Sequence, residues 1–406
     1  MTATPPTPGV LHGLKVLDLS DAKAFFCGKT FGMLGADVYK IEPPGGDVER
    51  GYGPFNAAGE SLYWKAFNTD KRSVVLDITT PDGAETLRRM VAQCDFLIES
   101  FLPGHMERLG LGYQALKAIN PTLVMVSITG FGQTGPYAHY RATELIAVAT
   151  GGVLHNTGDP DRAPVKEGLE STYLHASLAG AVGALMAYYH ILDTGADGQQ
   201  IDVSLQETCA SRMTSSILAW QFDQLTLHRQ GDKSQLGPTA TTWFWPCKDG
   251  HLFWHMLGGL HGAPANKALT AWIDEYDPDN ALHEVEDWRK FDKAGISQEQ
   301  WDRFEAAIRP HFMRFTKAEI AHESQKRGVN ACVSANPLEV LESEQLGGRG
   351  YWATLGDQGV RYPGYLYKST GVPHASSRPA PALGADTQAV LDALIGTTAM
   401  TETTHA

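Results

Sequence analysis

A chain of 406 residues exceeds one average domain, and 43% hydrophobic with 19% charged residues is the balance of a globular protein that buries a large core. A formal net charge of -13 argues against nucleic acid or an anionic membrane surface as partner, while leaving room for a local basic pocket that holds a phosphorylated ligand. The five cysteines, Cys27, Cys94, Cys209, Cys247 and Cys332, are scattered without a Cys-x-x-Cys pair, which points to free thiols in a reducing cytoplasm and away from a zinc site or disulfide framework.

Residues 1–8 look like a disordered lead-in without the features of a signal peptide. No apolar stretch is long and pure enough to span a membrane. Val16–Leu19 is predicted as a strand, followed by a helix that reaches Leu34 and ends at Gly35. Further strands are expected at Asp37–Ile41, Ser73–Asp77, Phe96–Ser100 and Leu123–Ile128, with a helix from Pro81 to Val91. These strands are continuous apolar runs separated by helical patterns, so the expected fold is α/β, with a parallel sheet covered on both faces. From Ser171 to Asp193 the pattern predicts one long helix, capped by Ser171 or Thr172. Its small-residue interior, Ala176 to Ala184, predicts deep packing. Ile201–Leu205 is a strand leading into a helix from Gln206.

The character changes near Leu225. Aromatic residues cluster at Trp243, Phe244, Trp245, Phe253 and Trp254, and charge-rich helices run from about Ala281 to Arg327. The expected organisation is a large domain over 1–225, a smaller domain over 226–330, and a return segment over 331–406. A Pro-rich tail from Arg378 to Gly384 precedes a final helix near Thr387–Ile395.

Three segments suggest a phosphate-bearing ligand. Asn68-Thr69-Asp70-Lys71-Arg72 places two cations beside a strand, the lysine as a point charge and the arginine as a fork. Glu99-Ser100-Phe101-Leu102-Pro103-Gly104 follows the carboxyl end of a parallel strand, where open α/β sheets place ligands. Thr129 to Tyr137 is glycine-rich after another strand but lacks the Gly-x-Gly-x-x-Gly order of a dinucleotide fingerprint.

Together with Leu14 to Leu19 and Gly35 to Asp47, these segments resemble the family III coenzyme A transferases, which include formyl-CoA transferase and the related alpha-methylacyl-CoA racemases. The likeness runs from Leu14 to about Glu207 and resumes at Pro246 to Gly250, Ala331 to Val333 and Arg378 to Pro381. It implies a Rossmann-like, parallel-sheet large domain made from both chain ends, a smaller α+β domain, and two interlocked subunits. It further implies a coenzyme A site at Asn68, Lys71, Arg72, Leu76, Asp77, Ser100, Phe101, Leu102, Arg108, Arg141 and Glu144, with acyl-CoA as substrate and no metal.

The same resemblance puts the nucleophilic aspartate of that family at Tyr173. A carboxylate suits the reaction because its acyl adduct is as activated as a thioester. A phenol cannot form an anhydride, and with a pKa near 10 only about 0.1% of it is phenolate at neutral pH. Glu170, three residues earlier, shares a helix face with Tyr173 if the helix is continuous; as an acidic residue it also simply favours a helix N-terminus. His175 is a possible acid or base beside Tyr173 or a packing residue. The racemase pair falls on Thr143 and Tyr173, neither of which is a base of that type. A covering glycine loop would correspond to Gln235–Pro238 or Leu257–Leu260, and Trp243, Phe244 and Trp245 line either an acyl pocket or a small-domain core.

The expected protein is thus a cytoplasmic CoA-transferase-fold dimer that moves coenzyme A between an acyl-CoA and a carboxylic acid. Two alternatives stand beside it. One is a non-catalytic subunit paired with an aspartate-bearing paralogue. The other is an altered, racemase- or isomerase-like reaction on an acyl-CoA through Tyr173 and His175.

Overall fold

Period-two burial of large aliphatic side chains on both faces sets the central sheet. The structure, a computed structural model, describes residues 9–236, 239–356, 359–371 and 377–396; the lead-in expected at 1–8 and residues 237–238 of the expected glycine loop lie outside them. The described residues divide into two units, one drawn from 1–154, 166–225 and 350–406 and the other from 155–165 and 226–349.

The first unit opens with β1 (Lys15–Asp18), α1 (Phe25–Met33), β2 (Asp37–Glu42), α2 (Leu62–Phe67), β3 (Lys71–Val75), α3 (Pro81–Val91) and β4 (Phe96–Glu99). It continues through α4 (His105–Arg108), α5 (Tyr113–Ile119), β5 (Val124–Thr129), α6 (Glu144–Thr150), α7 (Ser171–Thr194), β6 (Gln200–Ser204), α8 (Leu205–Ser211) and α9 (Thr214–Asp223). The six strands form a parallel sheet in the order β3-β2-β1-β4-β5-β6, so the strand order reverses between β1 and β4. Alternate residues feed two cores. Val16, Phe96, Val124 and Val126 face the side packed by α1 and α7; Leu17, Leu97 and Met125 face the side packed by α3, α5 and the final helix Thr387–Ile395. Each of these fully buried side chains contributes about 1.5–3 kcal/mol.

The small residues of α7 do pack closely, but on one face. A side chain at Gly180 would put its Cβ 2.9 Å from Ile128 Cδ1, so the helix axis lies close against β5. On the other face Val182, Met186, Tyr189 and Leu192 are more than half exposed. Neither Ser171 nor Thr172 caps this helix. The N-cap is Glu170, whose side chain makes no capping bond to the helix, and the Thr172 N–H instead donates to Glu144 Oε1 at 3.2 Å.

The edge of β3 is sealed by the tail. Ser73 N–H donates to Asp386 Oδ2 and Val75 N–H to Thr387 Oγ1, each at 3.0 Å, while Gly384 N–H donates to Ser73 Oγ at 2.8 Å.

In the second unit, β7 (Lys233–Leu236) pairs with β8 (Thr239–Thr242), and β9 (Phe244–Cys247), β10 (Gly250–Phe253) and the two-residue strand Cys332–Val333 form an antiparallel sheet. Helices Gly259–Asp274, Gln298–Phe312 and Lys317–Arg327 pack around Trp245, Trp254, Trp272, Trp301, Phe304 and Phe312. The return of the chain to the first unit comes at Gly350 and not at 331, because Cys332 and Val333 pair with Phe253 and Leu252. Residues 155–165 also belong to this second unit. Cys332 is exposed, unlike the other four thiols.

A buried ion pair joins the carboxyl end of β1 to the start of β3. Lys71 Nζ sits 2.7 Å from Asp18 Oδ2, both side chains being fully inaccessible, and also donates to Asn68 Oδ1 and the Phe25 carbonyl at 2.9 Å each. Burial alone would raise the Asp18 pKa, but the charges of Lys71 and Lys40 outweigh it and hold the carboxyl below its ordinary value. Gly28 lets α1 approach: a Cβ there would lie 2.2 Å from Asp18 Oδ2. Removing one partner strands the other charge in the interior. Lys71→Met is therefore expected to destabilise the first unit by about 3–5 kcal/mol in urea unfolding, and the apolar double replacement Asp18→Leu/Lys71→Met to recover much of that loss.

Candidate functional site

A crevice opens where the strand order reverses, the position at which doubly wound sheets bind their ligands. The chain leaves β1 through Leu19, Ser20 and Asp21, and leaves β4 through Ser100 and Phe101. These two turns are tied reciprocally: Asp21 N–H donates to Ser100 Oγ and the Ser100 hydroxyl donates to Asp21 Oδ1, both at 2.8 Å. The resulting cavity, of about 290 Å³, is walled by Ser20, Asp21, Ile41, Asp47, Leu76, Asp77, Thr79, Ser100, Phe101 and His105 among others.

Glu99 fixes one wall. Its Oε2 accepts from the Phe101 N–H at 2.7 Å, and the Phe101 ring stacks on His105 with centroids 4.6 Å apart. Burial pushes the Glu99 carboxyl up to about 7, against the opposing hydrogen bonds from Ser127 and Phe101.

A second cluster forms at the N-terminus of α7. Tyr173 Oη accepts from the Glu144 N–H, the first amide of α6, at 2.9 Å, while the Glu144 carboxylate accepts from Thr172 N–H on α7 and pairs with Lys166 at 2.6 Å. Each helix therefore satisfies an unpaired amide of the other. Burial, followed by the nearby carboxylates Asp21, Glu170 and Glu144, lifts the Tyr173 pKa above its ordinary value despite the Glu144 N–H bond, so the phenol is neutral at neutral pH. The Glu170 carboxylate accepts from Tyr63 Oη at 2.7 Å, and the Tyr63 ring packs between Tyr52 and Phe67 at 5.8 and 4.8 Å. Buried Glu49 accepts from the Ala22 N–H, and burial raises its pKa.

Of the residues expected from sequence, Leu76, Asp77, Ser100 and Phe101 meet in the crevice. Leu102 is exposed just beyond Phe101, and Arg108 and Arg141 are exposed on α4 and ahead of α6. Asn68 and Lys71 lie beneath the surface, and the three bonds of the Lys71 ammonium to Asp18, Asn68 and Phe25 leave it no donor for a phosphate. Arg72 reaches Asp37 at 3.4 Å, at the amino end of β2, opposite the crevice. Glu144 is buried in its link to α7. Tyr173 and Glu170 belong to one cluster, whereas His175 is exposed. Leu257 leads into a helix starting at Gly259, so Leu257–Leu260 is not a free glycine loop.

Sequence reasoning missed Asp21, Glu49 and Tyr63. Their only local signal is polarity, and long-range folding gathers them. Among the described residues no group of three or more His, Cys, Asp or Glu is arranged to hold a metal ion, and no helix is long and apolar enough to cross a membrane.

Comparison with known proteins agrees with this topology. A model of CoA-transferase family III matches residues 11–387, and the chain belongs to that family. It is 33% identical to the succinyl-CoA–D-citramalate CoA-transferase of Chloroflexus aurantiacus over 68% of this chain and 75% of that one. It is 29% identical to subunit BbsE of the succinyl-CoA:(R)-benzylsuccinate CoA-transferase of Thauera aromatica, over 93% of this chain and 92% of that one. The crystal structure of a CAIB/BAIF family protein from Brucella suis superposes with a TM-score of 0.83 at 28% identity, covering 96% of this chain and all of the other.

The raised Glu99 pKa has a sign that can be checked. A carboxyl raised on folding contributes its full stability below its ordinary pKa of 4.5, and that contribution is lost as pH rises through about 7. Glu99→Gln should therefore match the parent protein near pH 4.5 and exceed it at pH 8 by up to about 3 kcal/mol in urea unfolding, since the amide oxygen still accepts from Phe101.

Proposed function

We propose that the crevice between β1 and β4 binds coenzyme A and its thioesters, and that the chain transfers coenzyme A between an acyl-CoA and a carboxylic acid. The observation that carries this reading is the Asp21–Ser100 closure at the switch point, in a chain of family III. Phe101 and His105 supply a flat wall and the Asp77 and Thr79 turn supplies polar groups, while Arg108, exposed on the same short helix as His105, is the basic residue this reading assigns to the phosphates.

In this reading Glu170 is the acyl acceptor. Its carboxylate attacks the thioester carbonyl carbon, the C–S bond breaks, and the thiolate leaves with the electron pair, giving a mixed anhydride on Glu170. The thiolate returns to the glutamyl carbonyl and expels the first acid as its carboxylate. The acceptor carboxylate then attacks the glutamyl thioester, and the same thiolate, released again, takes the new acyl group and frees Glu170. Tyr63 holds the Glu170 carboxylate through one oxygen and leaves the other for attack. Tyr173 holds the amide of Glu144 and takes no part in bond making.

A second reading has its own support. Subunit BbsE aligns with nearly the whole chain, and none of the α9 residues is buried, with Phe222 81% and Trp220 51% exposed, while α7 also carries a bare apolar face. An aspartate-bearing paralogue seated there would make this chain the partner of a catalytic subunit.

Incubation with succinyl-CoA followed by hydroxylamine or borohydride separates the two readings. Labelling of Glu170 in the isolated chain, lost in Glu170→Gln together with CoA exchange, is the expected result. Calorimetric binding of CoA without label or exchange, with activity appearing only on adding a paralogue, supports the second reading. Absence of CoA binding removes both. Tyr173→Phe should leave exchange within roughly a factor of ten, the value of one ordinary hydrogen bond; a complete loss would implicate the phenol in the chemistry.

A further inference from the structure

In the second unit one cation has no anion beside it among the described residues. Trp243 sits between two strands, its N–H bonded to the Asp232 carbonyl and its carbonyl to the Trp254 N–H, both at 2.9 Å. The His255 ring stacks on its indole at 5.1 Å and 30°, and Phe253 meets the same ring edge-on at 5.7 Å. Lys293, on the short turn Lys293–Gly295 beside Gly258, holds its ammonium 5.6 Å from the Trp243 centroid.

Among the described residues no carboxylate pairs with Lys293. The neighbouring Asp292 is turned to cap its own turn through the Ala294 N–H at 3.0 Å. Trp243 Nε1 and His255 Nδ1 are likewise without hydrogen-bond partners. The ring contact lies near the roughly 6 Å outer limit of a cation–π interaction, so it offsets little of the ammonium's lost hydration. Burial lowers the Lys293 pKa, and burial and Lys293 together lower that of His255.

We infer that Trp243, His255 and Lys293 form a binding site for a carboxylate carried on a short apolar chain. The single ammonium, over an indole that stacks on an imidazole and with an unpartnered nitrogen on each ring, matches one carboxylate. Phosphate sites instead gather guanidinium forks or several backbone amides, and neither is present here among the described residues. Phe253 and the 45% exposed Phe244, 5.7 Å apart, offer the apolar surface for the chain. This site stands on the second unit alone and does not depend on coenzyme A binding in the crevice.

The test titrates the full chain, histidine-labelled with ¹⁵N, with sodium butyrate, using sodium chloride and sodium phosphate at equal ionic strength as controls. Butyrate is expected to move the His255 ring signals saturably. Lys293→Met should weaken the midpoint at least about tenfold, as loss of a charge-assisted bond requires, and Lys293→Arg should keep it. No saturable shift with butyrate, the same shift with chloride, or an unchanged midpoint in Lys293→Met would each overturn the assignment. CoA binding to the same sample, measured by calorimetry, reports on the crevice separately.

Discussion

The first unit depends on one buried ion pair. The Lys71 ammonium, at the start of β3, bonds to Asp18 at the end of β1, to the first residue of α1 and to the turn ahead of β3. Four pieces of chain are thereby held at a single point under the crevice. The Asp18 carboxylate also accepts from the Ser20 N–H at 3.0 Å, so the pair sets the turn that carries Asp21 to Ser100. Lys40, also fully buried, adds a second cation bonded to the Ser20 carbonyl at 2.7 Å and paired with Asp47 on the crevice wall. Buried charges of this kind stabilise little relative to apolar packing, but they tolerate few alternative arrangements. Here they fix the polar side of a loop cluster whose Leu19 and Ile78 are packed into the core.

The helix termini show a related economy. A tyrosine at position 173 is long enough to reach the first amide of α6, and the carboxylate of that same α6 residue reaches back to α7. The phenol is thus part of the scaffold that aligns two helices. Its hydroxyl is engaged and its ionisation suppressed, while the adjacent Glu170 keeps a carboxylate held by one neighbouring hydroxyl.

Much of the first unit was legible in the sequence. The parallel strands announced themselves as apolar runs, and helix ends such as Pro81–Val91 and Thr387–Ile395 follow from local cues. The Lys71-Arg72 pair was visible as two cations, but adjacent strand residues point to opposite faces, so one lies in the interior and the other reaches Asp37. Adjacency in sequence therefore suggested a joint role that the pleat forbids. Tyr63, Glu49 and Asp21 were invisible because no local pattern links them; only the folding of separate loops onto α7 does. The capping of α7 was misread for a similar reason: Ser171 and Thr172 have the right chemistry, yet the acceptor comes from 28 residues away.

The sealed edge of β3 has a bearing on how the protein is made. The groups that cover Ser73 arrive 313 residues later in the chain. While the ribosome is still at work, that strand has finished synthesis but has no neighbour on its outer side, and an open strand of this sort invites pairing with other chains. Completion of the first unit thus waits until the segment around Gly384, Asp386 and Thr387 has emerged, and nascent protein has to be kept from its siblings until then.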